Sequence, residues 1–268
     1  MNLADQAEAA FLEQPQVDCP VTHRFGPGVY IREVFMPAGA YIIGHRHKTT
    51  HINIMLTGRL GLMNDDGTET IMEAPQTFVA PPGRKMAYIY EDVVWQNVHA
   101  TDETDVEKLE DMFLDKSPAY LARVAELTRP DGNFSEDNDD FLAAIAEYGF
   151  DALTVRQISE NTDDQIPFPQ GDYKVAVGPS KIEGKGLFAT GAIDANELIA
   201  PARIDGLRTP AGRYINHSKT PNAEMVLGES GNAYVFALRP ISGCKGGLPG
   251  EEITVDYRQV LALAAGSN

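Results

Sequence analysis

Three short segments carry side chains suited to holding a small ligand. Gly184-Lys185-Gly186 sets a cation between two glycines. Backbone without a Cβ can approach a bound molecule closely. Arg213-Tyr214-Ile215-Asn216-His217-Ser218 gathers a cation, a phenol, a carboxamide and an imidazole in one short run. Gly250-Glu251-Glu252 leads into Ile253-Thr254-Val255 and ends on Asp256-Tyr257. Taken singly, each is an ordinary turn or strand end. A second set, His45, His47 and His51, lies in the N-terminal half. On a strand, His45 and His47 point to one face, and His51 can reach from an adjoining strand. That spacing suits one divalent metal. His99, on an expected strand over 93–99, is a further donor. The bland alternative is histidines held as hydrogen-bonded core groups.

The elements that must position these groups differ along the chain. Residues 20–100 read as β-structure: short apolar runs at 41–43, 51–56 and 76–80 are punctuated by Gly and Pro. Asn64-Asp65-Asp66-Gly67 is a hairpin-turn signal. From 101 the pattern turns helical. Thr101-Asp102-Glu103-Thr104-Asp105 caps a helix through Leu114, with Val106, Leu109, Met112 and Phe113 on one face. A second helix is expected over 119–127, stopped by Arg129-Pro130-Asp131-Gly132. A third carries Phe141, Leu142, Ile145, Ala146 and Tyr148, and a fourth covers 153–160. Ile166-Pro167-Phe168-Pro169 marks the entry to a last, β-rich part.

In their order and within one small domain, the first three segments resemble the SET family of protein methyltransferases. The resemblance covers roughly residues 168–260. It implies that the Gly184–Gly186 turn lies against the methionine half of S-adenosylmethionine (SAM). It implies that Asn216 and His217 hold the adenosine half, with Lys185 and Arg213 beside the cofactor. Tyr257 matches the family's active-site tyrosine, next to the transferred methyl group and the target amine. Ser180-Lys181-Ile182 fits the family's first strand, and Pro221-Asn222-Ala223 the strand after Asn-His-Ser. Tyr214, Tyr234, Phe236 and Tyr257 are candidates for an aromatic lysine channel. For Tyr234 and Phe236 the first reading is a half-buried strand, since 233–238 is a short apolar run. Val255 lies where many members place a ring that tunes methyl number. Lys219 stands where the family often has a zinc-binding cysteine, and the chain has only Cys19 and Cys244, so neither flanking zinc cluster can form. The tail after Tyr257 has no aromatic. The missing channel wall must come from the N-terminal part, the linker or another subunit.

Gly39, His45, His47, His51 and Gly58 resemble the first motif of the cupin family, with His51 in the glutamate position. Pro81-Pro82-Gly83 matches part of the second motif, but Met86 stands where its ligand histidine belongs. The expected fold is therefore mainly β with α: a cupin-like double-stranded β-helix barrel over 1–100, a helical linker over 101–165, and a β-rich SET domain over 166–268.

Composition narrows the function classes. The 268 residues allow two modest domains, and 43% of them are hydrophobic. No apolar run approaches a membrane span, and residues 1–16 lack a signal-peptide pattern. Two distant cysteines agree with a reducing cytoplasm. A formal charge of −17 disfavours nucleic acid and membrane and favours basic, lysine-bearing protein substrates. The leading expectation is a SAM-dependent protein-lysine methyltransferase on a cupin-like, homo-oligomeric barrel, most simply a homodimer. The alternatives are a non-catalytic assembly protein and a metal-dependent cupin oxygenase.

Overall fold

The computed structural model describes residues 3–129, 135–228 and 230–265. The chain forms two compact units, and neither is continuous in sequence. The first comprises Met1–Leu127, Pro169–Lys174 and Gly243–Gly250; the second comprises Thr128–Phe168, Val175–Ser242 and Glu251–Asn268. The helices expected as a linker are thus divided between the units.

The first unit opens with helix α1 (Leu3–Leu12), followed by β1 (Val21–Gly26), β2 (Val29–Met36), β3 (Tyr41–Ile43), β4 (Arg46–His47), β5 (His51–Met63), β6 (Glu69–Glu73), β7 (Gln76–Ala80) and β8 (Met86–Ala100). Helix α2 (Val106–Phe113), β9 (Leu114–Asp115) and helix α3 (Pro118–Leu127) complete its continuous part. After helices α4 (Ser135–Glu147) and α5 (Ala152–Glu160) of the second unit, β10 (Gly171–Tyr173) returns to pair with β1. The main sheet runs β10-β1-β2-β8-β5-β6, with β3 also on β8 and β7 also on β5. Alternation explains its core. Along β8, Ala87, Ile89, Val93 and Trp95 are buried, and the same inward row continues as Asn97 and His99. With Met36, Met55, Leu60 and Met72 the apolar members form one cluster. Fully burying side chains of this size contributes about 1.5–3 kcal/mol each. The expected turn at 64–67 joins β5 to β6, closed by Asn64 N–H to Thr68 O at 2.8 Å. Asp105 caps α2 by accepting from Glu107 N and Lys108 N. Residues 243–250 close the unit: Gly246 N–H donates to Val17 O at 2.7 Å, and Tyr120 Oη to Gly247 O at 2.8 Å.

The second unit holds α4, α5, β11 (Val175–Pro179), β12 (Lys185–Ala189), β13 (Leu198–Ile204), β14 (Leu207–Arg208), α6 (Pro210–Tyr214), β15 (Asn216–His217), β16 (Ala223–Leu227), β17 (Ala233–Ala237), β18 (Glu252–Val255) and α7 (Tyr257–Ala265). Its two sheets run β11-β12-β18-β15 and β14-β13-β17-β16. The β15–β18 pair is parallel, setting Asn216 opposite Thr254 and His217 opposite Val255. The expected stop at 129–132 lies largely outside the described residues. Among the described residues, no helix is long and apolar enough to cross a membrane.

Candidate active site

Asn216 organises the glycine turn. β11 and β12 form a hairpin whose turn is closed by Ser180 N–H to Gly184 O at 3.0 Å. Ser180-Lys181-Ile182 is therefore the turn itself, not a strand as its place before the glycines suggested, because β11 already ends at Pro179. Gly184 has φ +50°, and a Cβ there would meet open space. Gly186 is the opposite case: a Cβ would fall 2.3 Å from Glu252 Oε1. The Asn216 amide nitrogen lies 3.0 Å from Ser180 Oγ, 3.2 Å from both Glu183 O and Lys185 O, and 2.8 Å from Glu252 Oε1. A carboxamide has two N–H groups, so four acceptors compete for them. Burial raises the Glu252 pKa, and the bonds from Asn216 and Ser180 oppose that shift.

His217 connects the turn's neighbour strand to Tyr257. Its ring is buried, and Nδ1 accepts the Tyr257 N–H at 3.1 Å. A backbone N–H can only donate, so in the neutral ring the proton sits on Nε2. That nitrogen donates to Asp140 Oδ2 at 2.9 Å. Arg258 grips the same carboxylate with both Nη atoms, at 2.9 and 3.0 Å, and reaches Glu147 Oε1 through Nε at 2.9 Å. The Arg258 bonds, then His217, hold the Asp140 carboxyl below its usual range. A depressed carboxyl stabilises the fold above its unfolded pKa, and this contribution is lost as pH falls through the lower folded value. Acid unfolding of the wild type should therefore steepen below about pH 4, and Asp140→Asn should flatten that limb. Melting curves across acid pH check this, and identical acid limbs would show the cluster to be inert.

Tyr257 donates its hydroxyl to Ile215 O at 3.1 Å. Burial of that hydroxyl, with Glu252 nearby, pushes its pKa up to about 12. Among the described residues its ring neighbours are His217, centroids 5.3 Å apart, and Phe141, 5.7 Å apart and edge-on. Phe141 lies on α4, so the stretch expected as a linker supplies an aromatic wall beside Tyr257. Val255 is fully buried. Tyr234 and Phe236 share the half-exposed face of β17, opposite the buried Ala233, Val235 and Ala237. Among the described residues the ring contacts of Tyr257 are with Phe141 and His217, not with these two. Two cations lie over the Tyr214 ring, Arg213 Cζ at 4.8 Å and Lys185 Nζ at 5.9 Å from its centre. Arg213 also donates to Gln165. Ser180, Glu252, Asp140 and Phe141 were not singled out as site residues from sequence. Of these, Ser180 and Glu252 lie inside matched segments, whereas Asp140 and Phe141 lie outside them.

The histidines of the first unit do not assemble the expected metal set. His45 packs edge-on against Tyr120, centroids 4.6 Å apart. His47 and His51 stack face to face at 4.1 Å and 18°, and His99 stacks near both. Nearly parallel rings send their in-plane lone pairs along separate planes, whereas one metal needs them to converge. His51 Nδ1 is also within 3.0 Å of Thr49 O. Among the described residues, no group of three or more His, Cys, Asp or Glu side chains could hold a metal ion. The spacing was right for one strand face, but β4 begins only at Arg46, leaving His45 outside it. Burial lowers the imidazoles of His45 to about 4, His47 to about 3 and His99 to about 4.

Comparison with known proteins agrees with the reading of the C-terminal motifs. Residues 202–258 match the family model of the SET domain. No curated protein matches the chain at the sequence level. Among solved structures, a cupin domain from Bordetella pertussis Tohama I is 18% identical, covering 33% of this chain and 98% of that one, with a TM-score of 0.27. An RmlC-like cupin with a double-stranded β-helix fold from Methanocaldococcus jannaschii is 17% identical, covering 36% of this chain and 91% of that one, also at 0.27.

Proposed function

From a SET domain at residues 202–258, which points to a methyltransferase family, we propose that the protein is a SAM-dependent protein-lysine N-methyltransferase. The observation that carries this reading is the Asn216 amide, which ties Ser180, the glycine turn and Glu252 into one frame. That frame adjoins the His217–Tyr257 pair, because Asn216 and His217 share strand β15. The open space at Gly184 fits a ligand laid against the turn. Lys185 and Arg213 beside the Tyr214 ring fit a ligand carboxylate.

SAM, when bound, supplies an electrophilic methyl group on a sulfonium. The chain's own residues orient the partners and exclude water. Tyr257, protonated throughout the neutral range, holds its oxygen at Ile215 O and accepts no proton. Phe141 and Tyr257 form an aromatic corner suited to an alkylammonium stem. The substrate lysine must be neutral to attack, and free Lys has a pKa near 10.4. A dry aromatic site favours the neutral form. The acidic chain favours a basic protein substrate.

Incubation with methyl-labelled SAM and a panel of lysine-rich proteins tests the proposal. Label on lysine, together with calorimetric binding of SAM, is the expected result. No heat and no thermal shift with millimolar SAM would remove it. We also propose self-association through the first unit. Ile52 and Val79 pair across β5 and β7 with 42% and 65% of their surface exposed, on the edge strand β7. Light scattering at micromolar concentration should return a dimer mass, and a monomer mass would refute it.

A further inference from the structure

The first unit holds a cavity of about 360 Å³, lined by its strands and by helix α1, within the roughly 300–1,000 Å³ of small-molecule sites. Val34, Met36, Leu60 and Trp95 give it apolar wall, and Arg32, His47, Asn53 and Lys85 give it polar wall. Three of those polar groups have a buried atom with no hydrogen-bond partner: Arg32 Nε, His47 Nδ1 and Asn53 Nδ2. Buried polar atoms are nearly always paired.

The orientation of Asn53 is fixed by its neighbours. Trp95 Nε1–H at 3.1 Å and the Asn97 amide at 2.6 Å both donate to Asn53 Oδ1. The unpartnered Nδ2 is therefore a donor. Arg32 Nε can only donate as well. What is missing is an acceptor.

The charges point the same way. Glu8, the acidic residue of the lining, is held by Arg84 at 2.5 and 3.0 Å. Glu110 acts on Arg32 electrostatically, but its carboxylate is bonded to Lys116 Nζ at 2.6 Å. Among the described residues neither Arg32 nor Lys85 has an ion pair. Lys85 Nζ instead lies 4.9 Å from the Phe78 ring centre and 5.7 Å from that of Trp95. Arg32 and Lys85, the lining cations without a carboxylate partner, therefore set the sign of the cavity.

We propose that this cavity binds a small organic carboxylate with an apolar or aromatic body, using Arg32 and Lys85 as counter-charges and the Asn53 amide as donor. The site is independent of methyl transfer and needs no metal.

Trp95 lines the cavity and is the chain's one tryptophan, so its emission reads the site directly. The full-length protein is titrated with phenylacetate and with its neutral isostere phenylacetamide, each with and without EDTA. Phenylacetate should change Trp95 emission saturably and bind at least about tenfold tighter than the amide, with EDTA irrelevant. Arg32→Gln should abolish that preference and Lys85→Gln should reduce it. If Arg32→Gln does not fold, the acid–amide comparison in the wild type and in Lys85→Gln still decides. Equal responses to acid and amide, no response at millimolar ligand, a preference kept in the variants, or a response lost in EDTA would each overturn the proposal.

Discussion

Tyr257→Phe is expected to lower methyl-transfer turnover by roughly 10²–10³-fold while SAM affinity stays within about twofold. The hydroxyl is fixed by its bond to Ile215 O, and the phenylalanine ring keeps its contacts with His217 and Phe141. Losing the hydrogen bond costs about 1 kcal/mol of stability, so the folded fraction hardly changes. The pH profile separates roles. Because the Tyr257 pKa is raised to about 12 by burial, the phenol does not titrate in the working range. The wild-type rate should climb with pH toward about 10, following deprotonation of the substrate amine, and the variant should show the same slope on a lower line. An unchanged rate would make Tyr257 a structural residue. A slope altered by the substitution would make it a base.

The second large effect is on folding. Gly58→Ala should destabilise the first unit by about 3 kcal/mol, visible as an earlier loss of native Trp95 emission on heating. Gly58 has φ +83°, and a Cβ there would lie 2.3 Å from the backbone oxygen of Asp92. Both the left-handed backbone and the contact with main chain on β8 oppose any side chain. Gly39 has the same φ of +83° with nothing near, so Gly39→Ala should cost only about 1–2 kcal/mol. Equal melting of the two variants would show that β5 and β8 can separate at this irregular pairing without cost.

The elements were legible where local chemistry decides them. The turn at 64–67 and the helix capped by Asp105 carry their signals within a few residues. The site was legible only in part, because its remaining members come from far along the chain. Asp140 meets Arg258 and His217 through packing of α4 on α7, and no spacing rule encodes that distance. The histidines misled for the opposite reason. Their alternation was real, but where the strand begins and how the rings stack depend on partners, such as Tyr120 for His45, that lie far away in sequence. Phe141 read as an ordinary apolar helix position, since periodicity places a residue on a face without naming what it meets.

The return of residues 169–174 and 243–250 to the first unit bears on how the molecule is made. A ribosome releases the chain from its N-terminus, so β1 emerges long before β10, its hydrogen-bonded neighbour. Until then its edge is open to pairing with other nascent chains. The closure of Gly246 onto Val17 waits until more than two hundred further residues have been translated. The first unit, begun early, is thus finished only after most of the second has emerged, and no single proteolytic cut can release it intact.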